Sequence, residues 1–459
     1  MNSSSSKTPF LQAGVARRVI TPPFHVELAG LGYYLNRTPT HVRDDLTATG
    51  LVISDPRGKS VALVAVDLMY ADATFARSIR EAVAAEADIA PEAICVNCSH
   101  THNGPTAAFV RGVGELDADY VRFAAKMAAE ALVEAWRKRQ PVTVAVGAAA
   151  VSGYTFNRTR ENGPMDTRMA VLRVDTAAGR PLAIAVNYHS HLTAHQNFDL
   201  HAVSRDWSGE MIDQIEAGLP GIMAMYLQGT CGDVMTLPEF SSTPRRFEPA
   251  SAFAKAALEI WRDARALPGK EVDFAIRRIA LPTRRWTRDE VTIVRDEAVH
   301  RLKAGDTEGW LNGFARVIVG YPGRLPSRYG GSVEKTVAAV SRFGVEWADA
   351  MLPILDTRPE TIETEVQALR LDDVWFAANS TELFSSLGLE ARHRWPHKDL
   401  FMLGYSNGSL GYLPDAYDVE RQSYAANQSP KFTGQFPFTA QSGDAMVQGL
   451  LDVLKEIDC

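Results

Sequence analysis

Along the chain, short unbroken apolar runs alternate with stretches whose apolar residues recur three or four positions apart. The runs fit strands buried on both faces, and the stretches fit amphipathic helices. Strands are predicted at 13–23, 49–54, 60–68, 95–98, 142–152, 168–174, 181–188, 222–228, 365–371, 374–378 and 399–404. Helices are predicted at 72–87, 117–139, 250–266, 287–303, 334–351 and 443–457, with a further one after residue 206. Asp72 is placed to cap the first of these, and the second closes on Arg137, Lys138 and Arg139, where the helix dipole favours cations. A strand at 60–68, a helix and a strand at 95–98 predict a right-handed crossover between parallel strands. With no internal repeat and no clear linker, the expectation is an α/β fold of mixed β-sheets flanked by helices. Residues 1–459 read as a single domain, of which the Ser-rich residues 1–10 are expected to be disordered.

Composition narrows the class only slightly. Hydrophobic residues make up 46% and charged residues 22%, with a formal charge of -7. These values suit a globular protein and, without a long basic run, argue against nucleic acid as a partner. Arg277, Arg278, Arg284, Arg285 and Arg288 read as a solvated face. No signal-type N-terminus and no apolar window long enough to span a bilayer occur, so a cytoplasmic protein is expected. Four cysteines in so long a chain do not make a disulfide framework, and Cys95 and Cys98 sit inside an apolar run.

The histidines change the picture. Six of the eleven fall at His100, His102, His189, His191, His195 and His201. Two His-x-His pairs, at 100–102 and 189–191, each follow an apolar strand. Residues two apart on a strand share a face, and open α/β sheets place their chemistry at strand carboxyl ends. Neutral imidazole is a common metal ligand, so two such ends predict a metal site. Asp206 is read either as a helix cap or as a support for the site. Asp67 and Asp233 are read as structural hydrogen-bond acceptors. The loop 153–160, holding Arg158 and Arg160, is expected to be exposed.

The order of motifs resembles the catalytic domain of the neutral, non-lysosomal ceramidases, zinc amidases that split the N-acyl bond of ceramide. Residues 99–105 (SHTHNGP) resemble the family's THTHSGP, and 187–193 its strand ending in His-Pro-Thr. Residues 204–209 resemble its S-x-D-x-x-G, 228–234 its Gly-Asp-Val loop, and 404–412 its GYxN…Y segment. Leu192 stands where the family usually has Pro, Asn103 replaces Ser, and Ser380-Thr381 replace a Pro-Gly before Glu382. The likeness is to a short form without the family's C-terminal immunoglobulin-like domain.

The resemblance implies one zinc ion held by His100, His191, Glu382 and Tyr412. It implies that His102 faces the substrate, and that Arg158 and Tyr424 contact the amide. On this reading the chain is a zinc-dependent hydrolase of a small-molecule or lipid amide, with His102 passing a proton to the leaving amine. Two other readings stand beside it. One is a metal-dependent esterase or phosphatase with one or two metals, using the surplus histidines with Asp67, Asp206 and Asp233. The other is a non-catalytic binding protein on the same scaffold. A homo-oligomer is compatible with either.

Overall fold

A computed structural model describes residues 10–32, 34–305 and 329–458. The expectation for the extreme N-terminus falls almost wholly outside them. The architecture rests on three strand–helix–strand units, each pairing its two strands in parallel. Strand Ser60–Val66 leads through helix Ala73–Glu86 to Ile94–Cys98; Pro181–Tyr188 leads through Asp206–Gly218 to Met223–Gln228; Val374–Asn379 leads through Ser385–Arg394 to Leu400–Leu403. The strand Ser60–Val66 is buried at every position, as a parallel strand covered on both faces must be. Its helix begins where the Asp72 side chain accepts from Phe75 N, and buries Phe75, Ala76, Ile79 and Val83 on one face.

Antiparallel strands join these units into two sheets. In the larger, neighbouring strands run 223–228, 181–188, 168–176, 140–150, 12–19, 47–54, 60–66 and 94–98; 265–266 also pairs with 140–150. The smaller sheet runs 272–282, 361–371, 374–379 and 400–403. The two pack face to face over a shared core that includes Leu51, Leu63, Leu172 and Leu227 from one, and Leu369, Phe376, Phe401 and Leu403 from the other. Helices Ala73–Glu86 and Ala118–Arg137 cover one part of the large sheet's outer face, and Asp206–Gly218 and Glu248–Arg262 another. Helix Ala440–Lys455 covers the small sheet.

Buried amides fasten the ends of these sheets together. Asn97, fully buried, donates from Nδ2 to Gln228 O at 3.2 Å and Gly404 O at 2.7 Å, and accepts from Gln228 N at 2.8 Å. Asn187 likewise spans Leu227 O and Met402 O. Main-chain carbonyls at the ends of these strands thereby gain side-chain donors, as burial favours. The three parallel pairs are held with their carboxyl ends together.

Two of the longer elements were not foreseen. Val272–Pro282 is a strand paired antiparallel along its whole length with Thr361–Leu371, although its central Arg277 and Arg278 interrupt the apolar pattern. Those arginines belong to the solvated face, most of which is ion-paired: Arg277 with Glu456, Arg284 with Glu290, Arg285 with Glu360, Arg288 with Asp356. Helix Ser385–Arg394 has little apolar periodicity and is held by the sheet beneath it. Cys95 and Cys98 are free and buried. Among the described residues no helix is long and apolar enough to cross a membrane.

Candidate metal centre

The carboxyl ends of the parallel strands, where such sheets place ligands, empty into one cluster. His100 and His102 follow the strand Ile94–Cys98, His191 follows Pro181–Tyr188, and Glu382 follows Val374–Asn379. His100 Nε2 and His191 Nε2 lie 3.4 and 3.2 Å from the same atom, Glu382 Oε2, and His102 Nε2 lies 3.0 Å from His100 Nε2. All four side chains are buried, His102 the most accessible at 9%.

Each imidazole turns its other nitrogen to a backbone carbonyl. His100 Nδ1 faces Met69 O at 3.0 Å, His102 Nδ1 faces Gly30 O at 2.7 Å, and His191 Nδ1 faces Cys231 O at 2.8 Å. An N–H at each Nδ1 satisfies those carbonyls and leaves a lone pair on each Nε2, the pattern that orients histidine ligands. The donor atoms of His100, His102 and His191 lie within 4.8 Å of one another, so this cluster could hold a metal ion.

The first pair does not reach the cluster by strand alternation. The strand stops at Cys98, and His100 takes a left-handed backbone, φ 65°. That conformation is uncommon for a residue with a side chain, and it sets the two rings at 84° to one another. Gly30 makes room for them: its φ is +106°, and a Cβ there would sit 2.6 Å from His102 Cβ. Gln196 Nε2 donates to the same Gly30 carbonyl at 2.6 Å.

The second pair splits. His191 enters the cluster, whereas His189 turns away, accepting from Thr230 N at Nδ1 and facing Asp166 at Nε2. His195 accepts from Arg246, and His201 faces Thr38 O. The acids are equally engaged. Asp206 accepts from the backbone of Ala194, His195 and Trp207, Asp233 from Ser385 N and Asn157 Nδ2, and Asp67 from Thr47. Asp206 therefore supports the loop after His191 and does not receive a side-chain cap bond role of its own.

The remaining residues line the open side. Tyr412 OH lies 3.2 Å from His191 Nε2 and accepts from Arg158 Nη2 at 2.6 Å. Arg158 also donates to Gly232 O. The Tyr424 ring packs edge-on against Tyr412 at 5.9 Å. Thus all seven residues singled out in the sequence, His100, His102, Arg158, His191, Glu382, Tyr412 and Tyr424, meet at one place. The loop 153–160 is not the exposed segment expected: Thr155–Asn157 forms a short strand with Val234–Thr236, which carries Arg158 inward. Tyr70 and Tyr405 were missed. Tyr70 OH donates to Glu382 Oε1, and Tyr405 OH lies 3.3 Å from Oε2. A tyrosine after an apolar strand has no distinguishing local pattern; only the GYxN segment pointed toward Tyr405.

Electrostatics fits a cation. Burial by itself raises the Glu382 carboxyl, but the adjoining His100 and His191 outweigh it and hold it well below the usual range. Burial pushes His191 down to about 4, aided by Arg158, and lowers His102 well below its ordinary value, aided by the other two imidazoles. Both are neutral at pH 7, as ligands or proton acceptors must be. Burial lifts the Tyr412 hydroxyl well above its ordinary value, against the pull of Arg158.

These shifts predict an acid-sensitive fold. Burial brings His189, His191 and His195 each down to about 4. Between their ordinary value and about 4 the unfolded chain binds more protons, so stability falls with pH, by roughly 3 kcal/mol per imidazole. Burial raises Asp206 and Asp233 to about 6, which acts in the opposite sense over nearly the same range. His102 and Glu382, both held low, add to the imidazole side, and Asp67, raised by burial, adds to the other. The thermal midpoint of chelator-treated protein should therefore drop from pH 7 to 4.5, and an unchanged or higher midpoint would show that the buried acids offset the imidazoles in full.

No protein-family model matches the sequence, and no curated protein matches it. Solved structures do. A neutral ceramidase from Pseudomonas aeruginosa aligns with a TM-score of 0.72 at 15% identity, over 97% of this chain and 74% of that one. A ceramidase complexed with C2 aligns with a TM-score of 0.74 at 15% identity, over 97% of this chain and 75% of that one. The chain therefore has the neutral-ceramidase fold, with mixed sheets and flanking helices.

Proposed function

We propose that this chain, built on the neutral-ceramidase fold, is a zinc-dependent hydrolase of linear N-acyl amides. One observation carries the reading: Nε2 of His100 and of His191 meet at a single oxygen of Glu382, with Tyr412 beside them. Two imidazoles and a carboxylate make a common zinc donor set, here with hydrogen-bonded Nδ1 atoms. Tyr412, whose hydroxyl lies 3.2 Å from His191 Nε2, would complete the set as an oxygen donor. A zinc ion there supplies Lewis acidity and makes water nucleophilic near neutral pH.

The chain's own groups do the rest. Water oxygen bonds to the amide carbon, and His102 Nε2 takes the proton that water gives up. The same Nε2 would deliver that proton to the amide nitrogen as the C–N bond breaks, leaving an amine and a carboxylic acid whose remaining proton passes to the amine or to solvent. Arg158 stays charged through its contacts with Tyr412 and Glu382 despite burial. With Tyr424 it holds the carbonyl oxygen as charge builds there, where one such donor contributes about 3 kcal/mol. His102 is the best placed of the imidazoles to meet substrate, being the least buried.

A two-metal phosphatase finds no support, because Asp67, Asp206 and Asp233 already accept from neighbouring donors. The deciding experiment is a hydrolysis screen on zinc-loaded protein, using N-acyl amides of graded chain length, a carboxylic ester and a phosphate ester. Amide cleavage that chelator removes and zinc restores is expected; phosphate-ester cleavage alone would overturn the assignment. His102→Ala should keep its zinc and lose about 10²–10⁴-fold in kcat. A fall in zinc content in that variant would instead make His102 a ligand.

A further inference from the structure

The two oxygens of Glu382 have different surroundings. Oε2 faces both His100 and His191 and accepts only a long hydrogen bond, 3.3 Å, from the Tyr405 hydroxyl. Oε1 points the other way and accepts from Tyr70 OH. Tyr70 is not free to leave: it is 9% exposed, its ring lies 5.0 Å from the His100 ring and stacks at 6.5 Å on Tyr405, and its carbonyl accepts from Ala107 N. It arrives from the end of Ser60–Val66, so the first parallel pair braces the carboxylate that the third pair delivers.

An ionised carboxylate accepts at both oxygens and can meet a cation through one or both. A close donor fixed on one oxygen takes up one of its lone pairs and biases that choice toward the other. We infer that Tyr70 is a positioning residue: its hydroxyl occupies Oε1 and leaves Oε2 as the one carboxylate oxygen offered to a cation among the imidazoles. The inference rests on the zinc reading above and adds to it the reason Glu382 presents one oxygen.

Tyr70→Phe removes only the hydroxyl. Zinc affinity, measured by competition with a chromophoric chelator, should weaken 10–100-fold, as losing a partner of a ligand does. The thermal midpoint of the metal-free variant should fall only slightly, since Oε1 loses its donor while Oε2 keeps its partners. The infrared carboxylate stretches of Glu382, identified by their loss in Glu382→Gln, should show a one-oxygen pattern in zinc-loaded wild type and a two-oxygen pattern in the variant. A lowered metal-free midpoint with unchanged zinc affinity would make Tyr70 merely structural and overturn the inference. So would a two-oxygen pattern in the wild type, which decides the matter even if the variant fails to fold. Failure of the zinc reading has its own signature, a wild-type protein that takes up no zinc, and then both statements fall.

Discussion

Replacing His191 by Ala is expected to abolish zinc uptake and hydrolysis together, and His100→Ala to do the same. Each imidazole places Nε2 within 3.4 Å of Glu382 Oε2, and the one adjoining imidazole, His102, already belongs to the same cluster. His189, two residues away, is committed to Thr230 N. Truncation also takes one partner from a fully buried carboxylate, a loss that is costly unless the group takes up a proton. The variants should therefore fall below one-tenth of a zinc per chain, with activity reduced beyond the ~10³-fold that loss of one transition-state donor brings. Metal analysis and initial rates check both. Full zinc and full activity in either variant would break the ligand assignment.

Gly232→Ala should damage the same centre from outside it. A Cβ at Gly232 would lie 2.4 Å from the carbonyl oxygen of Glu382 and 2.9 Å from the Phe384 ring. Backbone cannot yield as a flexible side chain can, and Gly232 N already donates to Leu383 O at 3.0 Å. The loop that carries Cys231 O, the acceptor for His191, must therefore separate from the strand that carries Glu382. Overpacking of this kind typically costs 1–3 kcal/mol, so a drop in thermal midpoint of several degrees is expected, together with weaker zinc binding. Serine should behave as alanine does. Wild-type stability and zinc affinity in Gly232→Ala would show that the two segments are free to part.

Much of the framework was readable in advance. The strand 181–188 and the parallel pairing of the first unit follow from apolar runs bounded by turns and caps. Asp72 and Asp117 cap their helices through their own side chains, a relation spanning three residues. The strand Val272–Pro282 was hidden because its outward face carries Arg277 and Arg278. What identifies it is its partner, nearly ninety positions on in sequence by the pairing of Arg277 with Val366.

The site divides along the same line. Sequence by itself determined most of the long elements, the carboxyl ends at which the histidines gather and, through resemblance, the seven side chains of the candidate site. These are matters of local period, capping and motif order, which neighbouring residues settle among themselves. Only the tertiary structure decided that His191 points in while His189 points away, that Arg158 is brought inward, and that Tyr70 meets Glu382. The physical reason is that those contacts join residues on different strands, and their distances are set by how the two sheets pack. No local pattern records which strand ends will face each other.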